Sequence, residues 1–227
     1  MTVTTRPTGT AGSISRVRIA LAVLIPIGPL AVAVLRLILP YYTVDPTATM
    51  LTKVAGHPGA EGAVVWLSLV AMCTLVPATI AVGLLAVRHR PWLGGIALVV
   101  SLAGFGALPM VGVTDDVALS GVRSGLPSAE IVRLLDEVQR QPAIAVAGLM
   151  FVIGHILGVV LLGIALWRAG VLPGWAGLLL SISQPLHAFW TLVVPNHLLD
   201  GCAWGLTAVG FALAARVIAN TPGGHSR

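Results

Sequence analysis

Six stretches of apolar residues with no charge in their interior recur along this chain, at about 17–39, 62–87, 92–113, 143–167, 172–194 and 201–215. A helix of about 20 apolar residues spans the hydrocarbon core of a bilayer, so the pattern predicts an all-α, polytopic membrane helix bundle of about six transmembrane helices. Composition points the same way. Only 9% of residues are charged, against roughly 25% in soluble domains, so a water-facing surface cannot be built. The expected organisation is a disordered cytoplasmic N-terminus over 1–16, one transmembrane domain over 17–217 and a cytoplasmic tail over 218–227. The first apolar run follows Arg6, Arg16 and Arg18 without a small-residue cleavage site, and therefore reads as a retained span.

Charge orients the bundle. Lys and Arg near span ends favour the cytoplasm. With both termini inside, Arg6, Arg16, Arg18, Arg88, Arg90, Arg168, Arg216 and Arg227 fall on the cytoplasmic side with no acid among them. All eight acids, with Arg36, Lys53, Arg123, Arg133 and Arg140, fall on the other side. The formal charge of +5 is thus a matter of topology and not a nucleic-acid footprint. The reading is N-in, C-in in a bacterial cell membrane, with the lipid bilayer as the principal partner and no nucleic acid.

Both long connections, 40–61 and 114–142, lie on the outer side. In the second, Ser128 is placed to cap a short amphipathic helix before span four, with Ile131, Leu134, Leu135 and Val138 at helical spacing. Arg133 with Glu137, and Asp136 with Arg140, stand at i,i+4 separation. Pro26, Pro77, Pro109 and Pro185 interrupt spans and free backbone carbonyls, which suits kinked helices around a small cavity as well as ordinary membrane helices. Gly83 to Arg88 followed by Pro91, Trp92 and Gly94 is echoed by Gly163 to Arg168 followed by Pro173, Trp175 and Gly177. Cys73 and Cys202 show no ligand spacing and read as buried free thiols.

Ionisable groups inside a span are expensive and carry functional hypotheses. His155 and His187 both fall ~20 Å from the cytoplasmic surface at ~1.5 Å per residue, on consecutive antiparallel helices. Ser181, Gln184, His187 and Thr191 form a polar stripe, and with His155 they are the candidate cavity or ligand-binding residues. Such histidines can make inter-helix hydrogen bonds, hold a metal or haem, or relay protons. The sequence requires no cofactor, and metal or haem at His155 and His187 is the minority reading. Gly154 and Gly158 flank His155 at the spacing of close helix packing. At the outer level, Arg36 and Asp200 are expected to form an ion pair joining the first helix to the last. Glu61 and Asp200 are the candidate catalytic acids if the bundle is an acid-initiated enzyme. Trp66, Trp190 and Trp204 read as interface anchors.

The stretch Leu166, Trp167, Arg168, Ala169, Gly170, Val171, Leu172, Pro173, Gly174, Trp175, Ala176, Gly177 resembles a turn of uncharacterised actinobacterial multi-helix integral membrane proteins. That resemblance implies a bacterial membrane location without an activity. Size, a span-start Glu and a last-span Asp also resemble the small membrane-bound terpenoid cyclases, without a motif match and with one span fewer. No Walker, zincin, nucleophile-elbow or dinucleotide motif occurs. Binding, transport or resistance acting on a small apolar or amphipathic molecule in a polar-lined cavity is therefore the expected function. An intramembrane enzyme, as a terpenoid cyclase or isomerase or as a haem or metal protein, and a structural accessory subunit are the alternatives.

Overall fold

The structure is a computed structural model that describes residues 19, 20 and 22–220. The expectations for 1–16, for the start of the first span and for 221–227 lie outside those residues. All regular structure described is helical: α1 (Ile27–Ile38), α2 (Thr47–Gly56), α3 (Pro58–His89), α4 (Pro91–Arg123), α5 (Ser128–Arg140), α6 (Pro142–Arg168), α7 (Gly174–Ala188), extended by a π-helical turn at Phe189–Val193, and α8 (His197–Asn220). Proline opens α3, α4 and α6, where its missing N–H costs nothing and its fixed φ suits the first turn. Gly125 and Gly170 close α4 and α6 with φ of 68° and 70°. Beyond each, an N–H reaches back five residues, Leu126 to Gly121 O and Val171 to Leu166 O, which satisfies carbonyls that lipid could not.

Five segments are long and apolar enough to cross a membrane: α3, α4, α6, Gly174–Val193 and α8, with Ala22–Ile38 as a shorter apolar helix. This is an all-α polytopic membrane protein. The six helices α1, α3, α4, α6, α7 and α8 form a closed circle, each packed against the next in that order and α8 back against α1. Large apolar side chains such as Trp92, Val99 and Leu149 point outward, as a lipid-facing surface requires.

Every seam of the circle carries glycine. Gly28 joins α1 to α3, Gly94 α4 to α3, Gly104 α4 to α6, Gly163 α6 to α7, Gly210 α8 to α7 and Gly201 α8 to α1; a Cβ at any of them would come within 3.0 Å of the facing helix. Helix association in lipid depends on such close packing, because the hydrophobic effect no longer separates helix from solvent. Gly154 and Gly158 lie in the same way against the backbone of Gly104 and Ser101.

The two echoed hairpins, α3–α4 and α6–α7, repeat these contacts. Gly83 faces Leu98 and Gly94 faces Ala86 and Val87; Gly163 faces Ser181 and Gly177 faces Trp167. The Arg90 guanidinium donates to the Arg168 carbonyl at 2.8 Å and ties the two turns together.

Several local expectations change. Helix α4 runs on to Arg123, so Asp115 and Asp116 are helical and the connection before α5 is short. The segment 40–61 holds a helix, α2, which packs with α5 through Met50, Leu51, Val54, Ile131 and Leu135. Ser128 makes no capping hydrogen bond, because Pro127 occupies the cap position. Arg140 pairs with Glu137 at 2.6 Å, and Asp136 accepts from the Thr47 hydroxyl at 2.8 Å, which docks α2 on α5. Helix α8 continues to Asn220, past 215 and into the expected tail. Cys73 and Cys202 are exposed, on the lipid-facing side of their helices, where a small weakly polar thiol is tolerated.

Candidate functional site

The circle surrounds a partly open cavity of about 350 Å³, within the range of small-molecule pockets. Its walls are largely apolar, from Val32 and Leu35 on α1, Ala71 and Leu75 on α3, Leu108 and Val111 on α4, and Phe151 and Ile156 on α6. Thr47, Met50 and Gln139 from α2 and α5 cover one end, and His155, His187 and Trp204 stand at the other. The half nearer Arg88 and Arg168 is filled by Val82, Ala86, Leu162, Leu166, Ala176 and Ala214, so the cavity occupies only the half beneath the α2–α5 cover.

Polar groups gather on one wall. Arg36 and Asp200 form an ion pair through Arg36 Nε and Asp200 Oδ2. Thr191 donates to the same carboxylate at 3.0 Å and accepts from Arg36 Nη2 at 3.3 Å. The other Asp200 oxygen meets His187 Nδ1. The π-helical turn after Pro185 makes this possible, since its wider winding holds Thr191 between His187, Arg36 and Asp200. Both oxygens of Asp200 are taken up as acceptors, an arrangement suited to anchoring α1, α7 and α8 and unsuited to donating a proton.

The imidazoles occupy fixed tautomers. Carbonyl and carboxylate oxygens only accept, so His155 Nδ1–H donates to the Phe151 carbonyl and His187 Nδ1–H to Asp200. The basic lone pair of each ring is then on Nε2. The two rings lie 5.6 Å apart. His155 is stacked on Phe151 at 4.3 Å and lies nearly parallel to Trp204 at 5.9 Å. His155 Nε2 and Trp204 Nε1 are both buried without a hydrogen-bond partner. Among the described residues, no group of three or more His, Cys, Asp or Glu is placed to hold a metal.

The other candidates are dispersed. Gln184 faces away from the cavity and donates to Thr207 at 2.7 Å, which donates to Ser183. Ser181 bonds to the Gly177 carbonyl at 2.8 Å. Of the expected stripe, only His187 and Thr191 line the cavity. Glu61 is fully buried, with both oxygens unpartnered, and it does not join Asp200.

Four residues were missed in the sequence. Trp204 is 2% exposed and belongs to the cavity floor, not to the membrane interface. Tyr41 donates its hydroxyl to Asp115, and both line the cavity; burial, with the Asp115 carboxylate beside it, pushes the Tyr41 phenol well above its ordinary range. Phe151 completes the aromatic wall. Comparison with protein-family models, with curated proteins and with solved structures found no match, so function rests on the site itself.

Proposed function

We propose that this multi-pass membrane protein binds a small, mostly apolar molecule in the cavity between its helices, in a bacterial cell membrane with the α2–α5 cover facing outward. The observation that carries the reading is a cavity of about 350 Å³ with aliphatic walls and a few polar groups converging at its floor, the usual constitution of a small-molecule site. A filled core toward the arginine-bearing end favours entry and release on the covered side over passage through the bundle. The outward orientation draws support from Arg88, Arg90, Arg168 and Arg216 lying together at the opposite end.

The test is to purify the protein in lipid nanodiscs and identify small molecules that accompany it by mass spectrometry. Wild-type protein should carry one that is displaced in Ala71→Phe, which fills the cavity from α3. A wild-type preparation with no accompanying molecule, and no gain in thermal stability from any apolar compound of suitable size, refutes the proposal.

A further inference from the structure

Resting on the reading of the cavity as a ligand site, we infer that its floor recognises a hydroxyl group. Two buried polar atoms on rings that line it remain without protein partners. His155 Nε2 is an acceptor, because Nδ1–H is committed to Phe151; its ring is 1% exposed and lines the cavity. Trp204 Nε1 is a donor only, and its ring, 2% exposed, lines the same floor. Both atoms lack a hydrogen-bond partner. His187, with Nδ1 on Asp200, has Nε2 as a further acceptor.

Orphaned polar atoms in an apolar interior are rare and call for an occupant. The occupant must match one donor and one or two acceptors on neighbouring rings. A hydroxyl does this alone, donating to an imidazole nitrogen while accepting from the indole N–H. A ketone or ether can only accept and leaves His155 Nε2 unmatched. An ammonium can only donate and leaves Trp204 Nε1 unmatched, besides bringing its charge toward Arg36. A carboxylate would bring two acceptors to two acceptors. The cavity holds about a dozen groups of water size at ~30 Å³ each, so the ligand class is a neutral alcohol or phenol with a compact apolar body, seated with its hydroxyl on the His155–Trp204 floor and its tail toward α2 and α5.

The experiment uses the full chain in nanodiscs with 15N-labelled tryptophan and histidine, and 4-pentylphenol as the probe, with 4-pentylanisole, its methyl ether, as the matched control. The Trp204 indole signal is assigned by its loss in Trp204→Phe. The phenol should bind about tenfold more tightly than the ether, the difference expected when a buried acceptor is left unpaired. It should also shift the Trp204 indole proton and the His155 Nε2 nitrogen, and in Trp204→Phe its advantage over the ether should shrink. Equal affinity for phenol and ether, or a phenol that binds without moving either signal, overturns the hydroxyl assignment. If neither probe binds while another apolar molecule accompanies the purified protein, the assignment fails and the cavity reading stands; if neither binds and nothing accompanies it, both fail. The comparison of the two probes on wild-type protein needs no variant, so it survives any loss of folding in Trp204→Phe.

Discussion

Replacing Asp200 by Asn tests whether the polar wall holds the circle closed. Asp200 is 1% exposed and Arg36 13%, so the substitution leaves a mostly buried guanidinium facing an amide in place of a carboxylate. Breaking a buried ion pair by removing one member costs about 3–5 kcal/mol. The partial exposure of Arg36 places this one near the lower end, about 3 kcal/mol. An independent sum gives a compatible figure: three contacts, from Arg36, His187 and Thr191, at ~0.6 kcal/mol each for hydrogen bonds between membrane helices account for about 2 kcal/mol before the stranded charge is counted. For a chain of this size, about 3 kcal/mol corresponds to a fall in Tm of roughly 6–12 °C. Removing both charges, in Arg36→Met with Asp200→Asn, eliminates the stranded cation, and the double variant should recover most of the loss, because an apolar replacement for a buried pair is often neutral. Thermal unfolding in nanodiscs, followed by circular dichroism, reads all four proteins of the cycle. If the two single substitutions simply add in the double variant, the pair has no coupling and the account of α1 held to α8 is wrong.

Other consequences can be checked separately. Gly104→Ala places a Cβ on the backbone of Gly154 and His155 and should lower stability by about 1–3 kcal/mol, whereas Gly95→Ala, with open space around it, should stay within about 0.5 kcal/mol; equal melting temperatures would contradict the seam geometry. Burial raises the Asp45 carboxyl, but hydrogen bonds from Lys53 and the Tyr42 N–H outweigh it and hold the group below its ordinary value. Its contribution is therefore present above the unfolded pKa of about 3.9 and lost as pH falls through the lower folded value. A nitroxide on Thr52→Cys, in a protein freed of Cys73 and Cys202, should gain mobility below about pH 4 as α2 loosens, and the response should vanish in Asp45→Asn. In the same background, a membrane-impermeant maleimide added to intact cells should label Thr52→Cys and reach His89→Cys only after lysis; the reverse pattern would invert the proposed orientation.

The residues that were legible in the sequence are those whose meaning is local. Arg88 and Arg168 at span ends, and Ile131 and Leu135 at helical spacing, act within one element, so periodicity and end signals suffice. What escaped depends on which helices meet. Helix α2 contains the run Thr47, Ala48, Thr49, Met50, of little helical signal, and it forms because Met50, Leu51 and Val54 find Ile131 and Leu135 across the cover. Tyr41 gained its role only when α4 proved long enough to bring Asp115 beneath it. Trp204 could have been recognised: Asp200, Trp204, Thr207 and Phe211 recur at i, i+4, i+7 and i+11 and are all buried, a single inward stripe that a tryptophan at the interface would not share.

That stripe also accounts for the cavity. Near the arginine end, the hairpins α3–α4 and α6–α7 close on Gly83, Gly94, Gly163 and Gly177, and small residues such as Ala86, Ala165 and Ala176 pack into the centre. Farther along, the bulky side chains of Phe105 and Trp204 are among the largest that are fully buried, and with His155 they fill the space between α8 and the α4–α6 pair, which itself stays closed at Gly104 and Gly154. Above them Val32, Leu35, Leu108 and Val111 line the cavity, so space is left beneath α2 and α5. The scarcity of aromatic residues, 5% of the chain, follows from the glycine seams, since a large side chain at a seam would part the helices. Enlarging the floor should therefore lengthen no helix and break no seam. Trp204→Ala should deepen the cavity and admit a longer apolar molecule in a binding assay, with the preference for a hydroxyl reduced as in Trp204→Phe, while preserving the Arg36–Asp200 pair one turn away.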